Sequence, residues 1–130
     1  MKLNPNCIRD ILLYLEENLE LSSKLEYILI DVHTIADALS YPLPEVVNTL
    51  VVLNEAGFLY VSTDYAGNKI IMCDVVRLTY KGYQFLETIR PKTIWEKVIG
   101  ICTKFGSFSL DFIARVATQI AVGAIPTLLT

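Results

Sequence analysis

The sequence predicts an α+β fold, mostly helical: a winged helix-turn-helix with a two-stranded wing and additional C-terminal helices. Three observations carry that expectation. Residues 31–59, DVHTIADALSYPLPEVVNTLVVLNEAGFL, read as helix, turn, helix, glycine and the start of a strand. Two β-rich runs follow, separated by the turn residues Tyr65-Ala66-Gly67-Asn68. An amphipathic segment precedes them, as the supporting first helix requires.

That first helix opens at Asn4-Pro5, an N-cap with proline at N1. Ile8, Ile11, Leu12, Leu15 and Leu19 recur at i, i+3, i+4, i+7 and i+11, while Arg9, Asp10, Glu16 and Glu17 take the other face. Ser22-Ser23-Lys24 is a polar turn, and LEYILIDV, β-branched and aromatic, reads as one strand that pairs with the wing. Asp31 caps the second helix, whose apolar face is Ile35, Ala36 and Leu39. Ser40-Tyr41-Pro42 ends it, because a residue before proline is pushed out of the α region. Pro44 suits N1 of the third helix and Glu45 complements its positive end. Val46, Val47, Leu50 and Leu53 form its buried stripe, widened by Val51, and Gly57 is the expected left-handed stop.

FLYVSTD and KIIMCDVVRL are the wing strands; Asp64 and Lys69 cancel near its tip. Thr79 caps a fourth helix in which Phe85, Leu86 and Ile89 are the buried side. Gly82 weakens that helix by about 1 kcal/mol relative to alanine, which points to a close neighbour. Arg90-Pro91 marks a break. Ile94, Trp95, Val98, Ile101, Cys102 and Phe105 are spaced for a fifth helix that Gly106 terminates, and Ser109 caps a last one. From Phe112 onward the only charge is Arg115. A helix apolar nearly all round needs burial in protein or lipid. As a membrane span it is marginal in length, holds Arg115, Thr118 and Gln119 early and meets Pro126 near its end, so burial in an oligomer or against its own domain is expected. Ala117, Ala121, Gly123 and Ala124 would permit close helix approach. The division expected is a winged-helix domain over 1–90 and a helical extension over 91–130 that serves as the oligomerisation element.

With 130 residues and 53% hydrophobic composition the chain can bury a real core. Its net charge of −3 is uneven: residues 1–90 carry seven Lys/Arg and twelve Asp/Glu, residues 91–130 four and two. An acidic body is a handicap for a DNA binder, since phosphate contacts supply much of the affinity. Cys7, Cys73 and Cys102 show no CxxC spacing, and MKLNPNCIRD has no apolar signal region, which together point to a reducing cytoplasm. A metal site of Cys7 or Cys102 with His33 would match no zinc spacing; the cysteines read as small apolar residues and His33 as a surface or interface side chain. No metal or other cofactor is expected.

MKLNPNCIRDILLYLEENL, VVLNEAGFLYV, VVRLTYKGYQFLETIRPKTIWEKV and GSFSLDFIARVA resemble a small family of uncharacterised phage and prophage proteins of Gram-positive bacteria. The resemblance covers nearly the whole chain. Histidine often follows the glycine of the Leu-Thr-Tyr-x-Gly stretch in that family; here Tyr83 stands there, and any role of that histidine does not transfer. The resemblance implies a winged helix and a mobile-element context, and no activity.

Three function classes follow. As a DNA-binding regulator, the chain would place its third helix in the major groove. The outward residues would then be Glu45, Asn48, Thr49 and Val52, with Asn48 able to read adenine and Thr49 a phosphate or thymine methyl. Candidate duplex contacts are Asn48, Thr49, Lys69, Arg77 and Lys81, with Lys24 also nearby. As a protein-binding or assembly module that has lost DNA binding, it would use its acidic surface on a host or phage protein. Either way, the candidate homo-oligomer interface is Trp95, Phe112, Ile113, Val116 and Ile120. As an enzyme it lacks the parts: one histidine, no glycine-rich phosphate loop, no GxSxG and no paired carboxylates.

Overall fold

In the computed structural model, residues 1–129 and the side chains of residues 1–123 are described. Ala124 and Pro126 therefore lie outside the described side chains. The elements in order are α1 (Pro5–Asn18), β1 (Glu20–Leu21), β2 (Tyr27–Ile28), β3 (Ile30–Asp31), α2 (Val32–Leu39), α3 (Leu43–Glu55), β4 (Leu59–Ala66), β5 (Lys69–Leu78), α4 (Tyr80–Ile89), α5 (Lys92–Phe105) and α6 (Leu110–Leu129). They gather into two compact units, Met1–Tyr83 and Gln84–Thr130, whose boundary falls inside α4.

The first unit is the winged helix. The Asn4 side chain accepts from the amides of Asn6 (3.0 Å) and Cys7 (3.4 Å) and so starts α1. Its stripe of Cys7, Ile8, Ile11, Leu12 and Leu15 is wholly buried. Asp31 accepts from the His33 amide at 2.7 Å to start α2, and Ser40 ends it in the left-handed region at φ 60°. α3 begins at Leu43, one residue before the expected start, with Pro42 as N-cap and Pro44 in its first turn. Proline fits there because the first-turn amides have no partner within the helix. The end of α3 is a Schellman turn. Gly57 sits at φ 83°, its amide donates to the Asn54 carbonyl at 3.1 Å, and the Phe58 amide donates to the Leu53 carbonyl at 2.9 Å.

The sheet runs β3-β5-β4, all antiparallel, and β4–β5 is the wing with a two-residue turn at Gly67-Asn68. Ile71 and Val76 are extra residues on β5 where the register shifts, so Tyr60 faces Arg77 while Val61 faces Val75. The run LEYILIDV does not form one strand. Tyr27–Ile28 pairs with Glu20–Leu21 in a separate hairpin, and only Ile30–Asp31 joins the wing sheet, opposite Val75 and Asp74. Ser22 pins the hairpin turn: its amide donates to the Glu26 carbonyl at 2.8 Å and its hydroxyl accepts from the Glu26 amide at 3.1 Å. The hairpin leaves Leu21, Leu25, Tyr27, Ile28 and Leu29 exposed.

Asp31 and Asp74 stand directly opposite each other across β3 and β5. Partial burial, then the charges of Asp31 and Asp64, raise the Asp74 carboxyl above its ordinary value of 3.8. Like charges opposed in a sheet destabilise it. A carboxyl raised in the fold binds its proton more tightly there than in the unfolded chain, so it weakens the fold at neutral pH and stops doing so once the pH falls below the ordinary value. Asp74→Asn is therefore expected to stabilise the protein at pH 7 by about 0.5 kcal/mol. Thermal melts should show that gain vanishing near pH 3; a gain that persists there would assign it to something other than charge.

In the second unit, Gly106 ends α5 at φ 69°. The Ser109 hydroxyl accepts from the Phe112 amide at 3.2 Å to start α6, and Arg115 pairs with Asp111 at 2.8 Å. α5 packs along α6. Among the described residues no helix is long and apolar enough to cross a membrane.

Candidate functional site

The duplex-docking face of a winged helix is built from its second helix of the pair and its wing. Here α3 supplies Asn48, which is half-buried, with Glu45 one turn before it and no Lys or Arg anywhere along its length. The wing supplies Lys69, exposed beside the turn. Thr49 corrects the sequence expectation. It is 1% exposed, and its hydroxyl donates to the Glu45 carbonyl at 2.8 Å and lies 3.8 Å from the Cys7 sulfur. A threonine bonded back to its own helix and covered by α1 reaches neither a phosphate nor a thymine methyl.

Arg77 and Lys81 do not join Asn48 and Lys69. Lys69 opens β5 and Arg77 lies near its end, about 26 Å along the strand at roughly 3.3 Å per residue. At that far end, Arg77 and Lys81 line an open cleft of about 720 Å³ with Asn54, Gly57, Leu59, Tyr60, Thr79 and Tyr80. The Thr79 hydroxyl donates to the Gly57 carbonyl at 2.5 Å and accepts from the Gly82 amide at 3.0 Å, tying the start of α4 to the end of α3. Tyr60, Tyr80 and Asn54 were not singled out by sequence. The register shift that sets Tyr60 against Arg77 is invisible to residue counting along the hairpin.

A second cleft, about 380 Å³, lies on the docking face itself between α2, α3 and β5. Its walls include Leu43, Val47, Ile71 and Met72, with Asp31, His33 and Lys69 at the edges. The His33 Nδ1 sits 3.0 Å from the Asp31 carboxylate.

The oligomer candidates divide. Trp95 (5% exposed) and Ile113 (0%) are buried within the chain and have no surface to offer a partner, which corrects the expectation for both. Phe112, Val116 and Ile120 are half-buried. Val116 and Ile120 line a cleft of about 340 Å³ with Ile101, Arg115 and Gln119. The Phe105 ring, 70% exposed, lies 6.0 Å from that of Phe112.

The cysteines are free and buried. Burial pushes the Cys7 and Cys73 thiols up to about 11 and raises that of Cys102, which disfavours the thiolate needed for nucleophilic or metal chemistry. Among the described residues, no three His, Cys, Asp or Glu side chains gather as metal ligands do.

No curated protein matches the chain by sequence. Its fold is similar to the crystal structure of a MepR mutant from a multidrug-resistant S. aureus clinical isolate. The identity is 18% and the TM-score 0.48, over 96% of this chain and 79% of that one. A likeness that slight carries no functional argument. The family described as "Hypothetical protein (DUF2513)" matches residues 2–109, from the N-terminus to the cap of α6, and this chain belongs to that family.

Proposed function

We propose that this winged-helix protein is a non-enzymatic DNA-binding transcriptional regulator of phage or prophage type, acting in the cytoplasm as a homo-oligomer. The observation that supports the reading is the pairing of a half-buried Asn48 on α3 with an exposed Lys69 on the wing, at the two places where this fold meets a duplex. An asparagine amide can read adenine in the major groove, and a wing lysine can neutralise a phosphate. Residues 1–90 act as the DNA-binding domain. Residues 91–130 pair two copies through Phe112, Val116 and Ile120, the described apolar positions of α6 among the candidates that retain surface. Pairing brings two copies of Lys69 and Asn48 onto one duplex, which a single acidic domain needs to hold it.

Asn48→Ala is expected to weaken binding to a preferred duplex by about tenfold or more, at roughly 1–3 kcal/mol per lost base contact. Ile120→Glu should halve the mass by light scattering and weaken duplex binding with it. Unchanged affinity in both variants would overturn the reading.

A specific observation favours a second reading, a protein-binding module on the same frame. The cleft on the docking face is mostly apolar with Asp31, His33 and Lys69 among its lining residues, and the β1–β2 hairpin adds exposed Leu21, Leu25, Tyr27, Ile28 and Leu29. Contiguous exposed apolar side chains mark partner surfaces. The matching partner, of host or phage origin, would offer an apolar side chain to it. Duplex titration separates the two readings.

A further inference from the structure

We propose that the cleft at the foot of the wing is a binding site for a small aromatic anion, a planar ring carrying a phosphate or carboxylate. The inference goes beyond the DNA reading and stands without it.

Charge is the first argument. Arg77 and Lys81 both line the cleft, and none of its lining residues is a carboxylate. Each cation is held by a backbone carbonyl and a ring rather than by an acid. The Arg77 Nε donates to the Leu78 carbonyl at 2.9 Å, and its guanidinium lies 5.6 Å from the centre of the Tyr60 ring. The Lys81 Nζ donates to the Ala56 carbonyl at 3.2 Å and lies 4.9 Å from the centre of the Phe58 ring. Those bonds use one donor of each group; lysine has three and arginine five. In the same acidic chain Arg90 and Arg115 are paired with Glu87 and Asp111. Two neighbouring cations without a carboxylate, in a protein of net charge −3, leave a local positive field that favours an anion.

Shape is the second argument. Tyr60 (56% exposed) and Tyr80 (75% exposed) line the same cleft and offer ring surface to a stacked ligand. The Asn54 Oδ1 accepts from the Val61 amide at 2.9 Å, which holds its side chain against β4. The volume of about 720 Å³ lies in the range of small-molecule sites. The Schellman turn at Gly57, the register shift at Val76 and the Thr79 bonds set how its three elements meet. A neutral apolar ligand would leave both cations unused, and a cation would be repelled.

The test is calorimetric titration of the full chain with adenosine monophosphate, benzoate, adenosine, inorganic phosphate and a short single-stranded oligonucleotide. Adenosine monophosphate supplies ring plus phosphate and benzoate ring plus carboxylate, while adenosine supplies a ring without an anion and phosphate an anion without a ring. One of the first two is expected to bind at least about tenfold more tightly than either the uncharged ring of adenosine or the ring-free phosphate, a difference of about 1.4 kcal/mol. Arg77→Gln and Lys81→Gln should each weaken that binding about tenfold, and Lys69→Gln should leave it unchanged. Tyr80→Ala, at a position 75% exposed, should weaken it several-fold, and circular dichroism of each variant guards against a misfolded one. Absence of binding by both aromatic anions up to about 5 mM, a standard free energy weaker than about −3 kcal/mol, overturns the proposal. So does binding indifferent to Arg77→Gln and Tyr80→Ala, or a short single-stranded oligonucleotide binding more than tenfold better than the mononucleotide.

Discussion

Gly82→Ala is expected to cost about 3 kcal/mol of stability, as an overpacked site that its surroundings cannot relieve. A β-carbon at Gly82 would run into the carbonyl group of Phe58, well inside van der Waals contact. The obstacle is backbone, and that backbone is already committed: the Phe58 carbonyl accepts from the Thr79 amide at 3.1 Å, and the Phe58 amide closes the Schellman turn on Leu53. Nothing there can move without breaking a bond at the end of α3 or the start of α4. Helix propensity alone favours alanine by about 1 kcal/mol, so the two effects have opposite signs and packing decides. Urea titration would measure it. A variant as stable as the wild type would mean that α4 does not approach Phe58 as described.

Thr49→Arg is expected to unfold the protein, while Asn48→Arg leaves it folded and tightens duplex binding. Thr49 is 1% exposed between α3 and Cys7 of α1. A guanidinium there would be a buried charge without a partner, a loss of about 5 kcal/mol or more against a total stability of about 5–15. Asn48, one residue earlier, is half-buried and gives a long side chain a route to solvent. Adding one positive charge per subunit on the docking face should raise low-salt duplex affinity several-fold. Circular dichroism and a duplex titration read both outcomes. The reverse pattern would mean that α3 is rotated by one residue and that Thr49 faces outward after all.

That pair of neighbours also shows where sequence reading succeeded and where it failed. The stripe Val46, Leu50 and Leu53 was legible because all three are apolar and spaced i, i+4, i+7. Thr49 lies on the same face, four residues before Leu53, and its hydroxyl disguised it. A threonine can satisfy that hydroxyl on the carbonyl four residues back, so burial costs it little. The stops and starts were legible for a related reason: Asn4, Asp31, Gly57, Thr79 and Gly106 act locally, through bonds to their own turns. Pairing is not local. The β-rich composition of LEYILIDV was visible, but its division between two sheets depends on Glu20–Leu21, a strand too short to leave a pattern. Counted from the turn, the hairpin register holds only as far as Tyr65. The extra residues Ile71 and Val76 then shift it twice and bring Tyr60 to Arg77, so the basic cleft could not be assembled from the sequence. Trp95 and Ile113 failed in the same way. Amphipathic spacing says that a face is covered and does not say by what.

The claim of DNA binding is tested most directly by the salt dependence of affinity for a random duplex. With Lys69 as the wing contact in each of two subunits, about two phosphates are neutralised. The logarithm of the binding constant should then fall against the logarithm of salt with a slope of about −2, or roughly tenfold between 50 and 200 mM. Lys69→Gln should flatten that slope. No binding at 50 mM salt with protein on the order of 100 μM, the weak end of the usual range of non-specific duplex affinity, would contradict the account and leave the apolar cleft between α3 and the wing as the surface that meets a protein partner.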